Sequence, residues 1–250
     1  MAAIPTQRVI EKLDELLSQK DYAAAERHLQ YWLADAEASG DGRGRLTILN
    51  EQIGFYRKQE REHEALSAAE AALSQAESLG LGSSAVMGTT LVNAATAYKA
   101  FSQAEKALRL YERARTIYET ELSPEDGRLG GLYNNMALAC MDAGRFAEAR
   151  TLFEKALAVM EKQPNGELER AITFCNLADL TAAEKGTLDG ETEIFALLEK
   201  AMALLDTESL PRDGYYAYVC EKCAPCFGYY GLFMYEAELK KRAESLYDGT

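Results

Sequence analysis

Short segments of this chain repeat with a period of about 42 residues. Each segment carries two marked positions seven apart, and most of these hold a small residue: Ala25 and Trp32, Ala65 and Ala72, Ala107 and Ala114, Ala149 and Ala156, Ile194 and Ala201. The step from Ala65 to Ala107 is 42, and from Ala107 to Ala149 it is 42 again; Ala25 to Ala65 is 40 and Ala156 to Ala201 is 45. Leu29, Tyr111, Phe153 and Leu198 supply a bulky residue between the two positions. Spacings of three, four and seven mark one face of an α-helix. A fixed period of this size means that one supersecondary unit is copied along the chain.

A second helical stretch precedes most of these segments. Its apolar positions are Leu46, Leu49, Ile53 and Tyr56 in one copy, and Leu91, Ala94, Ala95 and Tyr98 in the next. Leu132, Met136, Ala137 and Cys140 follow, then Phe174, Leu177 and Ala178. Breakers separate the copies: the glycine-rich run from Ser39 to Gly44, Gly80 and Gly82, Pro124, Pro164 to Gly166, and Pro211. Each unit therefore reads as helix–turn–helix. The composition agrees: 40 Ala and 32 Leu stand against 5 Val and 7 Ile. Ala and Leu favour helices, whereas β-branched residues favour strands. Only 5 prolines are available to break helices. Two helices approach closely only where a side chain is short, and a lone pair leaves its apolar stripe uncovered. Stacking about five pairs buries that stripe continuously.

The helix pair, the small–bulky–alanine signature and the aromatic before the turn resemble the tetratricopeptide repeat. The copy with NMALAC at 135–140, GRFAEA at 144–149 and FEKA at 153–156 carries the resemblance most fully. The unit of about 42 residues is similar to the longer-helix kind found in kinesin light chains. The chain departs from the family in lacking its Trp and Gly in most first helices and in an insertion near Gly186 to Glu191. The resemblance implies an all-α, right-handed superhelical solenoid as a single domain over 1–250. Approximate repeats are 6–39, 45–80, 86–122, 128–163 and 167–207, with a degenerate capping segment over 212–250. The first repeat starts almost at once, so no DNA-binding or enzymatic domain is expected before it.

Asparagine is the most informative polar residue. Asn50, Asn93, Asn135 and Asn176 occur at steps of 43, 42 and 41 on the first helix of successive units. Asn costs roughly 0.5 kcal/mol against Ala inside a helix, so its recurrence at one phase suggests a compensating role. An amide both donates and accepts, and can pair with extended peptide backbone. The resemblance implies that this helix lines a concave groove, with Arg57, Thr96, Lys99 and Asp179 beside the amides. The competing reading is that the amides bond neighbouring helices and only order the stack. The flanking set is mixed in charge and lacks the regular cations that clamp a terminal carboxylate.

Cys220, Cys223 and Cys226 are three apart. Such thiols could ligate zinc or part of an iron–sulfur cluster. They equally describe a small apolar packing face, and no fourth ligand follows nearby. The packing reading is preferred, with a kink expected at Pro225. His28 and His63 read as solvated surface residues, without a nucleophile or a metal-spaced partner. Gly40 to Gly44 reads as a linker, because no strand precedes it and no Lys-Ser or Lys-Thr closes it. The dense aromatics from Tyr215 to Tyr235 either seal the end of the array or form an interaction surface.

A formal charge of −13 argues against nucleic acid, which needs a basic stripe. No apolar run reaches the roughly 18 residues of a membrane span, and no signal peptide is visible at the start. Five widely spread cysteines suit a reducing compartment. The expectation is a cytoplasmic, non-catalytic scaffold without metal or cofactor, which recognises a protein or peptide segment in its groove. The alternative is a structural module that self-associates through its terminal helices as a homodimer. A third class is a redox or metal protein that uses the cysteine cluster.

Overall fold

The computed structural model describes residues 3–247. Among them are twelve α-helices and no β-strand, the expected all-α helical repeat fold. The chain divides into two compact units, Met1–Leu122 and Ser123–Thr250. The first holds α1 (Thr6–Ser18), α2 (Tyr22–Ser39), α3 (Gly42–Lys58), α4 (Glu62–Ser78), α5 (Ala85–Ala100) and α6 (Ala104–Glu121). The second holds α7 (Gly127–Asp142), α8 (Phe146–Met160), α9 (Glu167–Lys185), α10 (Glu191–Leu205), α11 (Gly214–Tyr229) and α12 (Phe233–Tyr247). No helix among the described residues is long and apolar enough to cross a membrane.

In each unit the helices pack as consecutive pairs. The first helix of a pair also touches the first helix of the next: α3 on α5 in the first unit, α7 on α9 and α9 on α11 in the second. The seven-spaced small residues lie where the paired helices meet. Ala25, Ala65, Ala72, Ala107, Ala114, Ala149, Ala156 and Ala201 are all buried, and Leu29, Tyr111, Phe153 and Leu198 fill the space between them. Trp32 is only half-buried.

Most pairs turn in the same way. Lys20, Glu60, Ser102, Gly144 and Gly231 take the left-handed conformation, with φ of 57°, 57°, 60°, 72° and 85°. The next N–H then reaches back to the carbonyl five residues earlier, as in Asp21 to Leu16 (3.0 Å), Gln103 to Tyr98 (2.9 Å) and Arg145 to Cys140 (2.8 Å). This closes the orphaned carbonyls of the helix end. At helix starts, the side chains of Asp21, Asp41, Ser84, Asp126 and Asp213 accept backbone N–H groups.

Polar ties join one pair to the next in the first unit. The Tyr56 hydroxyl donates to Glu26 (3.4 Å), while Arg61 pairs with the same carboxylate (2.9 Å) and covers the Tyr56 ring at 4.7 Å. One repeat later, Tyr98 donates to Glu70 (3.0 Å) and Lys106 sits 3.9 Å over the Tyr98 ring. The ion pairs are partly exposed and each contributes at most about 1 kcal/mol.

One local expectation changes. The run from Gly40 to Gly44 is not a linker throughout. Helix α3 begins at Gly42 because Asp41 accepts from the N–H of Gly44 and of Ile4, both at 2.9 Å. A Cβ on Gly44 would lie 2.6 Å from Ile4, so the side chain is absent where the chain start packs on α3. Helix α11 runs through Pro225, which is exposed and lacks the N–H for a helical hydrogen bond. Within the segment expected to cap the array, α11 and α12 pack as a further helix pair.

Close packing in the pairs sets an expected outcome for two glycines. A Cβ on Gly88 of α5 would meet the buried Tyr118 ring at 2.3 Å, whereas one on Gly54 of α3 meets nothing within 4 Å. Gly88→Ala should destabilise by about 1–3 kcal/mol through overpacking. Gly54→Ala should stabilise by about 0.5–1 kcal/mol through helix propensity. Thermal unfolding followed by circular dichroism measures both, and shifts of the same sign would contradict this packing.

Candidate functional site

The first helices of neighbouring repeats carry a recurring polar group. In the first unit, Asn93 Nδ2 donates to Asn50 Oδ1 at 2.9 Å. Asn50 Nδ2 in turn donates to the Leu46 carbonyl (3.0 Å) and to Thr90 Oγ1 (3.2 Å). In the second unit, Asn176 Nδ2 donates to Asn134 Oδ1 at 3.0 Å, and the Thr173 hydroxyl lies 3.2 Å from that same oxygen. Both groups combine an Asn with a Thr-x-x-Asn step on the next first helix, Thr90 to Asn93 and Thr173 to Asn176. An amide has four bonding positions. Asn93 and Asn176 each use one N–H to hold the preceding Asn, which leaves a carbonyl oxygen and a second N–H.

Each group borders a pocket. One of about 430 Å³ lies between α3 and α5, lined by Asn50, Asn93, Thr47, Thr89, Leu46 and Val86, with Arg43 and Glu51 in its wall. Another of about 390 Å³ lies between α9 and α11, lined by Asn176, Asp179, Cys175, Cys223, Cys226 and Tyr229, with Lys222 in its wall. Each pocket thus carries one cation and one carboxylate among its lining residues. Desolvation, and then the nearby charge of Asp14, hold Glu51 above the usual carboxylate range, while Lys58 opposes them. Desolvation also raises Asp179, opposed by hydrogen bonds from Tyr230 (2.9 Å) and the Cys226 thiol (3.9 Å).

Of the eight residues singled out in the sequence, Asn50 and Asn93 come together at the first pocket, and Asn176 and Asp179 at the second. The others do not line these pockets. The Thr96 hydroxyl lies 3.0 Å from that of Tyr111 on α6, so it faces its own repeat's second helix. Arg57 and Lys99 are half-buried in the last turns of α3 and α5. Asn135 is half-buried, and the amide that pairs with Asn176 is its neighbour Asn134, 7 % exposed. Adjacent helix positions point about 100° apart, and a one-residue drift in the repeat step conceals which of the two turns inward. The recurring Thr-x-x-Asn step was a usable signal for Thr90 and Thr173.

Other candidate residues take structural places. His28 is half-buried rather than solvated: Nε2 donates to the Val9 carbonyl at 2.9 Å and ties α2 to α1. Tyr216, Phe227 and Tyr230 are buried, whereas Tyr229 and Phe233 are 73 % and 67 % exposed, so the aromatic cluster divides between sealing and surface. No group of three or more His, Cys, Asp or Glu among the described residues stands so as to hold a metal ion.

Residues 44–120 and 129–186 match the tetratricopeptide repeat family. No curated protein matches the chain. Among solved structures, it is similar to a Podosopora anserina protein of nearly identical TPR-like repeats described as a kinesin light chain. The two are 20% identical over 81% of this chain and 94% of that one, with a TM-score of 0.58. BtubC (BKLC) from P. vanneervenii is 17% identical, covering 93% and 91% of the two chains, with a TM-score of 0.60. NprR in complex with its cognate peptide NprX is 14% identical, covering 97% and 67%, with a TM-score of 0.63. At these identities the likeness is one of fold.

The amide pairing assigns different weights to two adjacent asparagines. Asn134→Ala removes the acceptor of Asn176 and a partner of Thr173, and should cost about 1–3 kcal/mol of stability. Asn135→Ala should be neutral or slightly stabilising, because Ala is the better helix former. Urea unfolding of the two variants checks this, and equal losses would refute the assignment.

Proposed function

The chain belongs to the tetratricopeptide repeat family, and we propose that it is a non-catalytic protein-interaction scaffold that binds an extended peptide segment along the first helices of its repeats. The observation that carries this reading is the half-spent amide. Asn93 and Asn176 are each fixed by one hydrogen bond to the preceding repeat, and keep one donor and one acceptor at the edge of a pocket. A peptide bond offers one acceptor and one donor. Fixing the amide beforehand reduces the entropy lost on binding. The mixed charges among the lining residues, Arg43 and Glu51 in one pocket and Lys222 and Asp179 in the other, suit neutral backbone dipoles and mixed side chains better than a terminal carboxylate. NprR, which shares the fold, has a structure with its cognate peptide and offers a precedent. The reading assigns no cofactor and no nucleic acid. The five free cysteines favour a reducing, cytoplasmic setting.

A second reading rests on a separate surface. Phe233 and Met234 are 67 % and 87 % exposed beside an apolar pocket of about 480 Å³ that Met202 and Leu232 also line. Exposed apolar groups of this kind favour association between copies of the chain.

Peptides selected from a random display library against the full chain provide the test. Asn93→Ala and Asn176→Ala should each weaken a selected peptide several-fold, since one amide–backbone bond contributes roughly 0.5–1.5 kcal/mol. The melting temperature of the same variants separates lost binding from lost structure. Unchanged affinity in folded variants would remove the binding role. A mass that falls on dilution, with no peptide selected, would favour self-association instead.

A further inference from the structure

The pocket between α9 and α11 is lined by three thiols from two helices, Cys175 on α9 and Cys223 and Cys226 on α11. Cys175 and Cys223 are buried, and Cys226 is half-buried. The Cys226 sulfur lies 3.7 Å from the Cys175 carbonyl oxygen and 3.9 Å from an Asp179 carboxylate oxygen. Nothing in the peptide-binding reading uses these thiols. Packing alone does not require them to meet at an opening, because a buried cysteine behaves as a small hydrophobe wherever it lies. The volume, about 390 Å³, is that of a small-molecule site, and Lys222 and Asp179 place one cation and one carboxylate in its wall.

We propose that Cys226 and Cys175 form a redox-active dithiol that reacts with a small-molecule disulfide of the glutathione class and closes into a disulfide joining α9 to α11. Cys226 is the entry thiol because it alone of the three is partly open. It loses its proton and its sulfur attacks one sulfur of the incoming disulfide. That S–S bond breaks, one small thiolate leaves, and this thiolate takes up a proton. Cys175 then loses its proton and attacks Cys226 Sγ, which breaks the mixed disulfide and releases the second small thiol. Two protein thiols lose two electrons and two protons, and one small disulfide becomes two thiols. Contact with the Cys223 and Cys226 thiols, and then burial, push the Cys175 thiol well above its ordinary value. A thiol of that kind reacts slowly with free oxidant, which leaves the first attack to Cys226. The cross-link spans the pocket that also holds Asn176 and Asp179, but the proposal does not depend on peptide binding there.

The folded full chain, incubated with oxidised glutathione, provides the test through thiol titration and peptide mapping by mass spectrometry. The wild type should lose two of its five free thiols and show one dithiothreitol-reversible link between Cys175 and Cys226. Cys175→Ser should instead retain glutathione on Cys226. Cys226→Ser should take up no glutathione at this pocket, and Cys223→Ser should leave the cross-link intact. Far-UV circular dichroism reports folding of each variant, and if Cys175→Ser fails to fold, the wild-type map and the other two variants decide. No thiol consumed, a mixed disulfide that persists in the wild type, a link to another cysteine or a link between two chains would each overturn the proposal.

Discussion

Paired helices in this protein meet at methyl groups. Ala25, Ala65, Ala107 and Ala149 have no exposed surface, and Leu29, Tyr111 and Phe153, four residues after Ala25, Ala107 and Ala149, fill the space beside three of them. Interiors packed at this density have no room for another methylene without a shift of neighbours. The close approach fixes how each second helix lies on its first. It thereby fixes which positions of the first helix remain for a neighbouring repeat and which remain for solvent. The turns obey the same constraint: Lys20, Glu60 and Ser102 accept a left-handed backbone that L-residues disfavour, because the helices they join must reverse within two or three residues.

On the remaining faces, polar groups connect first helices that alanine packing alone would leave free to slide. Two readings of the asparagines, as binders of a ligand and as bonds that order the stack, stand opposed only if an amide has one use. In Asn93 and Asn176 one N–H is directed to the preceding repeat, and each residue also lines a pocket. The inter-repeat bond orients the amide, and that orientation is what a ligand would meet. Asn50 is different, because its amide N–H groups are directed to Leu46 and Thr90 within the protein.

The two pockets differ in placement and in chemistry: the first lies between the helices whose amides pair, the second between the helix of Asn176 and the next first helix. The pocket of the first unit is walled by Leu46, Val86 and two threonines, and that of the second by three cysteines and Tyr229. A repeat fold permits this because each unit's stability depends on its nearest neighbours, so lining residues vary while the helix framework is retained. Redox chemistry at one pocket would leave the other unaltered.

The amino-acid sequence by itself determined the helical class, the 42-residue period, the helix pairs and the alanines at their crossings. Each of these follows from spacing along a single chain. It also singled out Asn50, Asn93, Asn176 and Asp179, and the structure sets these four at pocket walls. Only the tertiary structure decided between Asn134 and Asn135, turned Thr96 toward Tyr111, brought His28 onto the Val9 carbonyl, and set Cys175 beside Cys223 and Cys226. The physical reason is the same in each case. Helical periodicity specifies the direction of a side chain to within about 100° per residue, whereas the partner it meets is set by side-chain volumes on another helix tens of residues away.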